Sequence, residues 1–233
     1  MFFGYFYGDW SLLIVLPALI FTIWAQMSVQ SAYHKYSQIR NAYGMTGADA
    51  ARRILNDNGL HHIKIEMIRG EMTDHYDPRA GVIRLSEGVF HSASVAAVGI
   101  AAHEAGHAVQ HATDYGALKL RNAIIPVCRF GSMAAMPLFI IGLFVASDAL
   151  MTVGILAYAA VTLFQLITLP VEFNASRRAM QAIEGWGYMS QEEASGSRRV
   201  LRAAAMTYVA ALASSLLTLL RLVLLASGNR NRR

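Results

Sequence analysis

Residues 101–112 read AAHEAGHAVQHA. His103 and His107 stand four positions apart, with Glu104 directly behind the first. On a helix, positions i and i+4 share one face, about 5–6 Å apart at Cβ. Two imidazoles so placed can grip one zinc ion at about 2.0–2.1 Å. Glu104 sits one step round, able to act as general base on a water that the metal acidifies, without being a ligand itself. A chance HExxH is a real risk in any chain. Against chance, this one falls in a predicted helix of a polar segment, with the small residues Ala105 and Gly106 between the histidines.

A catalytic zinc keeps three protein ligands and one open position. His111 continues the four-residue spacing. Three such positions on one straight helix spread over about 12 Å of axis, too far to converge on one ion, so His111 reads as supporting or solvated. The metzincin pattern wants Gly and His where this chain has Gln110 and Thr113, and so it does not apply. Glu172, in LPVEFNASRRA (169–179), opens a polar helical stretch after an apolar block. From the residues alone it is either the third ligand or an acid favoured by a helix N-terminus.

The surroundings of these residues set the fold class. Hydrophobic residues make up 55% of the 233, and charged residues only 15%, against about 25% in a soluble domain. Four apolar blocks stand out: Trp10–Val29, Ile124–Ala146, Ala149–Pro170 and Ala204–Ala226. Each is about 20 residues, enough for a helix to cross a bilayer. The expected protein is an α-helical integral membrane protein of about four transmembrane helices with a small α+β zincin-like catalytic part. Its parts are an N-terminal anchor (1–30), a catalytic segment (31–123), a transmembrane hairpin (124–170), a second polar segment with the third ligand (171–203), and a C-terminal helix with a basic tail (204–233). MFFGYFYGDW (1–10) has no basic residue and reads as part of a retained anchor rather than a signal peptide. Arg221 lies near enough to the end of its block to snorkel.

The net charge of +5 has a pattern that explains it without nucleic acid. No Lys or Arg precedes Lys35; ten lie between Lys35 and Arg121, five between Arg177 and Arg202, and none in the turn Ser147-Asp148. This positive-inside asymmetry puts both polar segments in the cytoplasm, although four spans would leave the basic tail outside. Cys128 is the one cysteine, so an intrachain disulfide and a cysteine zinc site are both excluded.

Within the polar segments, TGADAARRILNDNG (46–59) predicts a helix capped by Thr46 with Asp49 in a capping box, stopped at Asn58-Gly59, with Ala50, Ile54 and Leu55 inward. HIKIEMI (62–68) alternates, predicting a strand that buries Ile63, Ile65 and Met67. Residues 72–86 predict a hairpin turning at Asp77-Pro78-Arg79-Ala80-Gly81. The HExxH helix starts near 92, with Ser92 or Ser94 as cap. GWGYMSQEEASGS (185–197) reads as a loop or mobile lid.

In this order, TDHYDP (73–78), RLSEGVF (84–90), AAHEAGHAVQHATDY (101–115), LPVEFNASRRA and AAAMTYVAAL (203–212) resemble the bacterial membrane-bound neutral zinc metallopeptidases of the YugP-like type, over nearly the whole chain. The layout is similar, more distantly, to the HtpX and CAAX-prenyl-protease group, gluzincins whose third zinc ligand is the Glu of an ExxxD pattern. The resemblance implies one Zn2+ per chain on His103, His107 and Glu172, Glu104 as base, a bacterial plasma-membrane location, and a polypeptide substrate in or near the bilayer. This chain departs where the pattern has Asp, which here is Ser176. Support of a ligand histidine then falls to Ser176, Asn174 or His111. In the wider group an edge strand before the HExxH helix pairs with extended substrate, a place that Asp74, His75, Tyr76 and Asp77 would occupy. His75, Tyr76 or Arg177 would stabilise the oxyanion. The competing function is a membrane metal-binding or assembly protein that does not cleave. Such a protein has no need of Glu104.

Overall fold

The structure is a computed structural model that describes residues 11–230. The N-terminal stretch MFFGYFYGDW and the last three residues of the basic tail lie outside the described residues. Four long helices account for most of the chain: α1 (Leu12–Ser37), α5 (Gly116–Phe144), α6 (Asp148–Gly185) and α7 (Gln191–Arg230). Between α1 and α5 come α2 (Gly47–Asp57), β1 (Lys64–Ile68), β2 (His75–Asp77), β3 (Val82–Ser86), α3 (Glu87–Phe90) and α4 (Val95–Ala112). The four long helices are each long and apolar enough to cross a membrane. Their exposed faces carry large apolar side chains, Phe130 at 75% and Met133 at 71% exposure among them. Water would penalise such faces; lipid does not. The four boundaries drawn at 30/31, 123/124, 170/171 and 203/204 all fall inside unbroken helices, α1, α5, α6 and α7 in turn.

The chain forms two compact units. One contains residues 11–25, 120–169 and 207–230 of those described. Its packing centres on Phe139, Met151 and Leu222. Gly154 permits the close approach, since a Cβ there would stand 2.7 Å from the backbone nitrogen of Phe139. Arg221 Nε donates to Ser11 Oγ at 3.1 Å.

The other unit contains residues 26–119 and 170–206. Its sheet has the order β1-β3-β2. β1 runs parallel to β3 with Lys64 opposite Val82, and β2 runs antiparallel to β3 with His75 opposite Arg84. Gly81 ends the turn between β2 and β3 at φ +64°, a conformation a side chain would strain. Of the face expected to be buried along 62–68, Ile63, just before β1, is buried, Ile65 is partly buried and Met67 is 50% exposed. As an edge strand β1 has one neighbour, and the core takes in only its first half. β3 is the central strand and its Val82, Ile83 and Leu85 are buried.

α2 forms because both ends are closed locally. Thr46 accepts from the Asp49 backbone N–H, Asp49 accepts in return from that of Thr46, and Gly59 leaves the helix at φ +71°. Its Ala50, Ala51, Ile54 and Leu55 join Ala97, Val98, Ala101, Ala102, Ala105 and Ala108 of α4 in the core. Ser94, not Ser92, caps α4: its Oγ accepts from Ala97 N–H at 3.2 Å. The reading of 185–197 as a loop or lid holds for the short connection at 186–190 and is corrected from 191 onward. Helix α7 begins at Gln191, Ser197 is buried and donates to the Val95 carbonyl at 2.8 Å, and a Cβ on Gly196 would stand 2.7 Å from Val95 Cγ1. Gly196 and Ser197 serve close helix packing rather than mobility.

Candidate metal centre

Two helices build the site, α4 with His103, Glu104 and His107, and α6 with Glu172, Asn174 and Ser176. They meet nearly backbone to backbone. A Cβ on Gly106 would lie 2.7 Å from the Ala175 carbonyl oxygen, closer than atoms tolerate, and Val171, Ala175 and Ala179 are fully buried on α6. Gly106→Ala is therefore expected to push the helices apart. It should destabilise the protein by about 1–3 kcal/mol, lowering the melting temperature and weakening metal binding together. Gly116→Ala, where an added Cβ meets nothing within 4 Å, is the control and should leave both unchanged.

The approach of α4 and α6 brings three possible ligands together. Glu172 Oε2 lies 3.3 Å from His103 Nε2 and 3.5 Å from His107 Nε2. One donor atom from each of the three residues falls within 4.8 Å of the others. The two rings stand edge to face, 85° apart. In a tetrahedral site with metal–ligand bonds of about 2.0–2.1 Å, neighbouring ligand atoms are about 3.3–3.5 Å apart. The carboxylate–imidazole separations match that edge length, and two imidazoles with one carboxylate are a donor set suited to zinc. Behind the two rings, Ser176 Oγ lies 3.1 Å from His103 Nδ1 and Gln110 Oε1 lies 3.0 Å from His107 Nδ1.

Glu104 is buried beside this cluster, and its Oε2 accepts a hydrogen bond from the Tyr76 backbone N–H at 3.0 Å. Burial pushes its carboxyl above the usual carboxylate range; His103 and His107 oppose the shift, while Glu172 and Asp74 add to it. For His107, burial favours the neutral ring, but the hydrogen bond to Glu172 and the charges of Glu104 and Glu172 outweigh it and raise its pKa.

β2 is tied to α4 at two levels. Besides the backbone bond to Glu104, the Tyr76 hydroxyl pairs with His111 Nδ1 at 2.9 Å. The neighbours of Tyr76 shape the strand. Asp74 accepts from Ser86 N–H at 2.7 Å and from its hydroxyl at 3.0 Å. Asp77 accepts from the Arg79 and Ala80 N–H groups and from Arg84, whose hydrogen bond holds its carboxyl below the usual range. His75 Nδ1 pairs with the Thr73 carbonyl at 2.8 Å. Arg177 is exposed, and it is Arg178 that donates to Asn174 Oδ1, at 2.9 Å. Asn174 meets Gln110 Nε2 at 3.0 Å rather than a histidine. Of the residues considered for substrate or oxyanion, Tyr76 is thus the one in contact with the HExxH glutamate.

Gln110, whose side chain reaches His107, is the residue beside the cluster that the sequence reading missed. Its local signal was its place three positions after His107, on the same helix face.

A family model described as "Putative neutral zinc metallopeptidase" matches residues 11–227. The chain is 48% identical over 218 residues to "Putative membrane protease YugP" of Bacillus subtilis (strain 168), a match covering 94% of this chain and 97% of that protein. No solved structure matches significantly. With the match running through α4 and α6, where the two imidazoles and the carboxylate converge, the chain belongs to the family described as "Putative neutral zinc metallopeptidase".

Proposed function

We propose that this protein is a zinc-dependent endopeptidase of the bacterial plasma membrane, hydrolysing peptide bonds of membrane or membrane-proximal proteins at the cytoplasmic face. The observation that carries this reading is the spacing of His103, His107 and Glu172 at zinc-ligand separations with a buried glutamate alongside. A zinc ion held there supplies Lewis acidity, polarising a carbonyl and acidifying water. Glu104 accepts the proton of the attacking water and delivers it to the departing amine. Tyr76 N–H holds one of its oxygens, Oε2, and leaves Oε1 for that proton. β2 lies at the sheet edge, where an extended polypeptide can be added as a further strand. Among Tyr76, His75 and Arg177 as oxyanion donors, the place of Tyr76 beside Glu104 supports it best; its N–H is engaged there, so the hydroxyl, paired with His111, would be the group that donates.

Two features support the membrane setting. Glu172 follows Pro170, the end of an apolar block, by two residues on one continuous helix. The polar segments that carry the site residues also hold fifteen of the twenty Lys and Arg, which favours the cytoplasmic side.

Detergent-purified protein should contain about one zinc per chain. Removing the metal with a chelator should stop cleavage of an unstructured peptide, and one equivalent of zinc should restore it. Wild-type protein purified without zinc that also fails to take it up would end this reading.

A further inference from the structure

We infer that Gln110 is a positioning residue that locks His107 in the tautomer able to bind metal; this rests on the zinc site proposed above. Gln110 is fully buried in the last turns of α4. Its Nε2 lies 2.8 Å from the Val171 carbonyl oxygen, a group that only accepts. That contact fixes which end of the amide is nitrogen. The second Nε2 hydrogen points to Asn174 Oδ1 at 3.0 Å. Asn174 is fixed in turn, because the same oxygen accepts from Arg178 Nε at 2.9 Å, and a guanidinium only donates. The amide oxygen of Gln110 therefore faces His107 Nδ1 at 3.0 Å and can only accept.

The consequence for the ring follows from proton counting. His107 Nδ1 carries the hydrogen, so in the neutral ring Nε2 carries the lone pair, on the side of Glu172 Oε2. A neutral imidazole has one proton to place between two nitrogens, and this network decides where it goes. His103 is held differently. Its Nδ1 faces the Ser176 hydroxyl at 3.1 Å, which turns to donate or accept and so imposes no tautomer. The Val171 carbonyl also belongs to the residue before Glu172, so one amide fixes the ring on α4 and anchors it to the helix that carries the third ligand.

The test measures zinc affinity by competition with a chromophoric chelator, alongside the melting temperature of metal-free protein. Gln110→Met keeps the length of the side chain and removes the acceptor. Gln110→Glu keeps an oxygen for Nδ1–H and removes both donors. The expected result is a 10–100-fold weaker affinity for Gln110→Met and an affinity within several-fold of wild type for Gln110→Glu, even where its melting temperature falls. A merely structural role predicts that both variants lose affinity in step with their melting temperatures, and that result overturns the lock. Wild-type affinity in a folded Gln110→Met protein also overturns it. If Gln110→Met does not fold, Gln110→Glu decides: retained affinity supports the lock and a 10-fold loss refutes it. Failure of wild type itself to bind zinc removes the metal centre and the lock with it, whereas binding by wild type and Gln110→Met alike removes the lock alone.

Discussion

Glu104→Gln protein is expected to keep its zinc and to lose peptide hydrolysis by about 10²–10⁴-fold, the usual contribution of a positioned general base. The fold has little reason to object. Glutamine has the shape of glutamate and keeps a carbonyl oxygen for the Tyr76 N–H, now accepted by Glu104 Oε2 at 3.0 Å. A neutral side chain suits the position, because burial already disfavours the charged carboxylate there. What glutamine lacks is a basic oxygen. Cleavage of a peptide substrate and zinc content, measured on the same preparation, separate the two properties. Hydrolysis at the wild-type rate in a zinc-loaded Glu104→Gln protein would refute Glu104 as the base. Cells that thrive on the variant would turn attention to a role in which the metal is held and nothing is cut.

Glu172→Ala should lose the metal outright. Two imidazoles on adjacent turns of one helix remain, and the buried carboxylate that faces both Nε2 atoms at 3.3 and 3.5 Å is gone. With it goes the negative charge that offsets the cation. After dialysis the zinc content should fall from about one per chain to a small fraction of that, with hydrolysis falling alongside. The melting temperature of metal-free protein should change far less, since alanine is small and Val171 and Ala175 on either side of position 172 remain buried. Full zinc occupancy in the variant would place the third ligand elsewhere and dismantle the assignment to α6.

What was legible in the sequence divides by distance. The capping box of α2 was readable because Thr46 and Asp49 satisfy one another three residues apart. The pairing of His103 with His107 was readable because helical geometry alone sets it. Glu172 was half readable. Its residue type and place after an apolar block allowed a ligand, but only the resemblance to known peptidases chose that role over a helix-end acid. Ser176 stands where the wider pattern has Asp, and its contact with His103 is visible only once α6 is seen against α4. Gln110 was only partly readable: its place one turn after His107 is local, but the carbonyl that orients its amide, that of Val171, lies sixty-one positions away. Met67 went wrong for a similar reason: alternation says which side chains share a face, not how far along an edge strand the covering layer reaches.

One feature of the chain order bears on biosynthesis. His103, Glu104 and His107 precede the apolar runs of α5 and α6, and Glu172 follows them. A nascent polypeptide that has emerged only through α5 carries two imidazoles and a base, with no carboxylate to complete them. The centre closes only after the intervening hairpin has been made and has returned α6 to α4, a long loop whose closure costs entropy. The His-His-Glu cluster then forms late, with only α7 still to be made, and a chain halted at α5 beside the ribosome lacks the carboxylate of the proposed metal site.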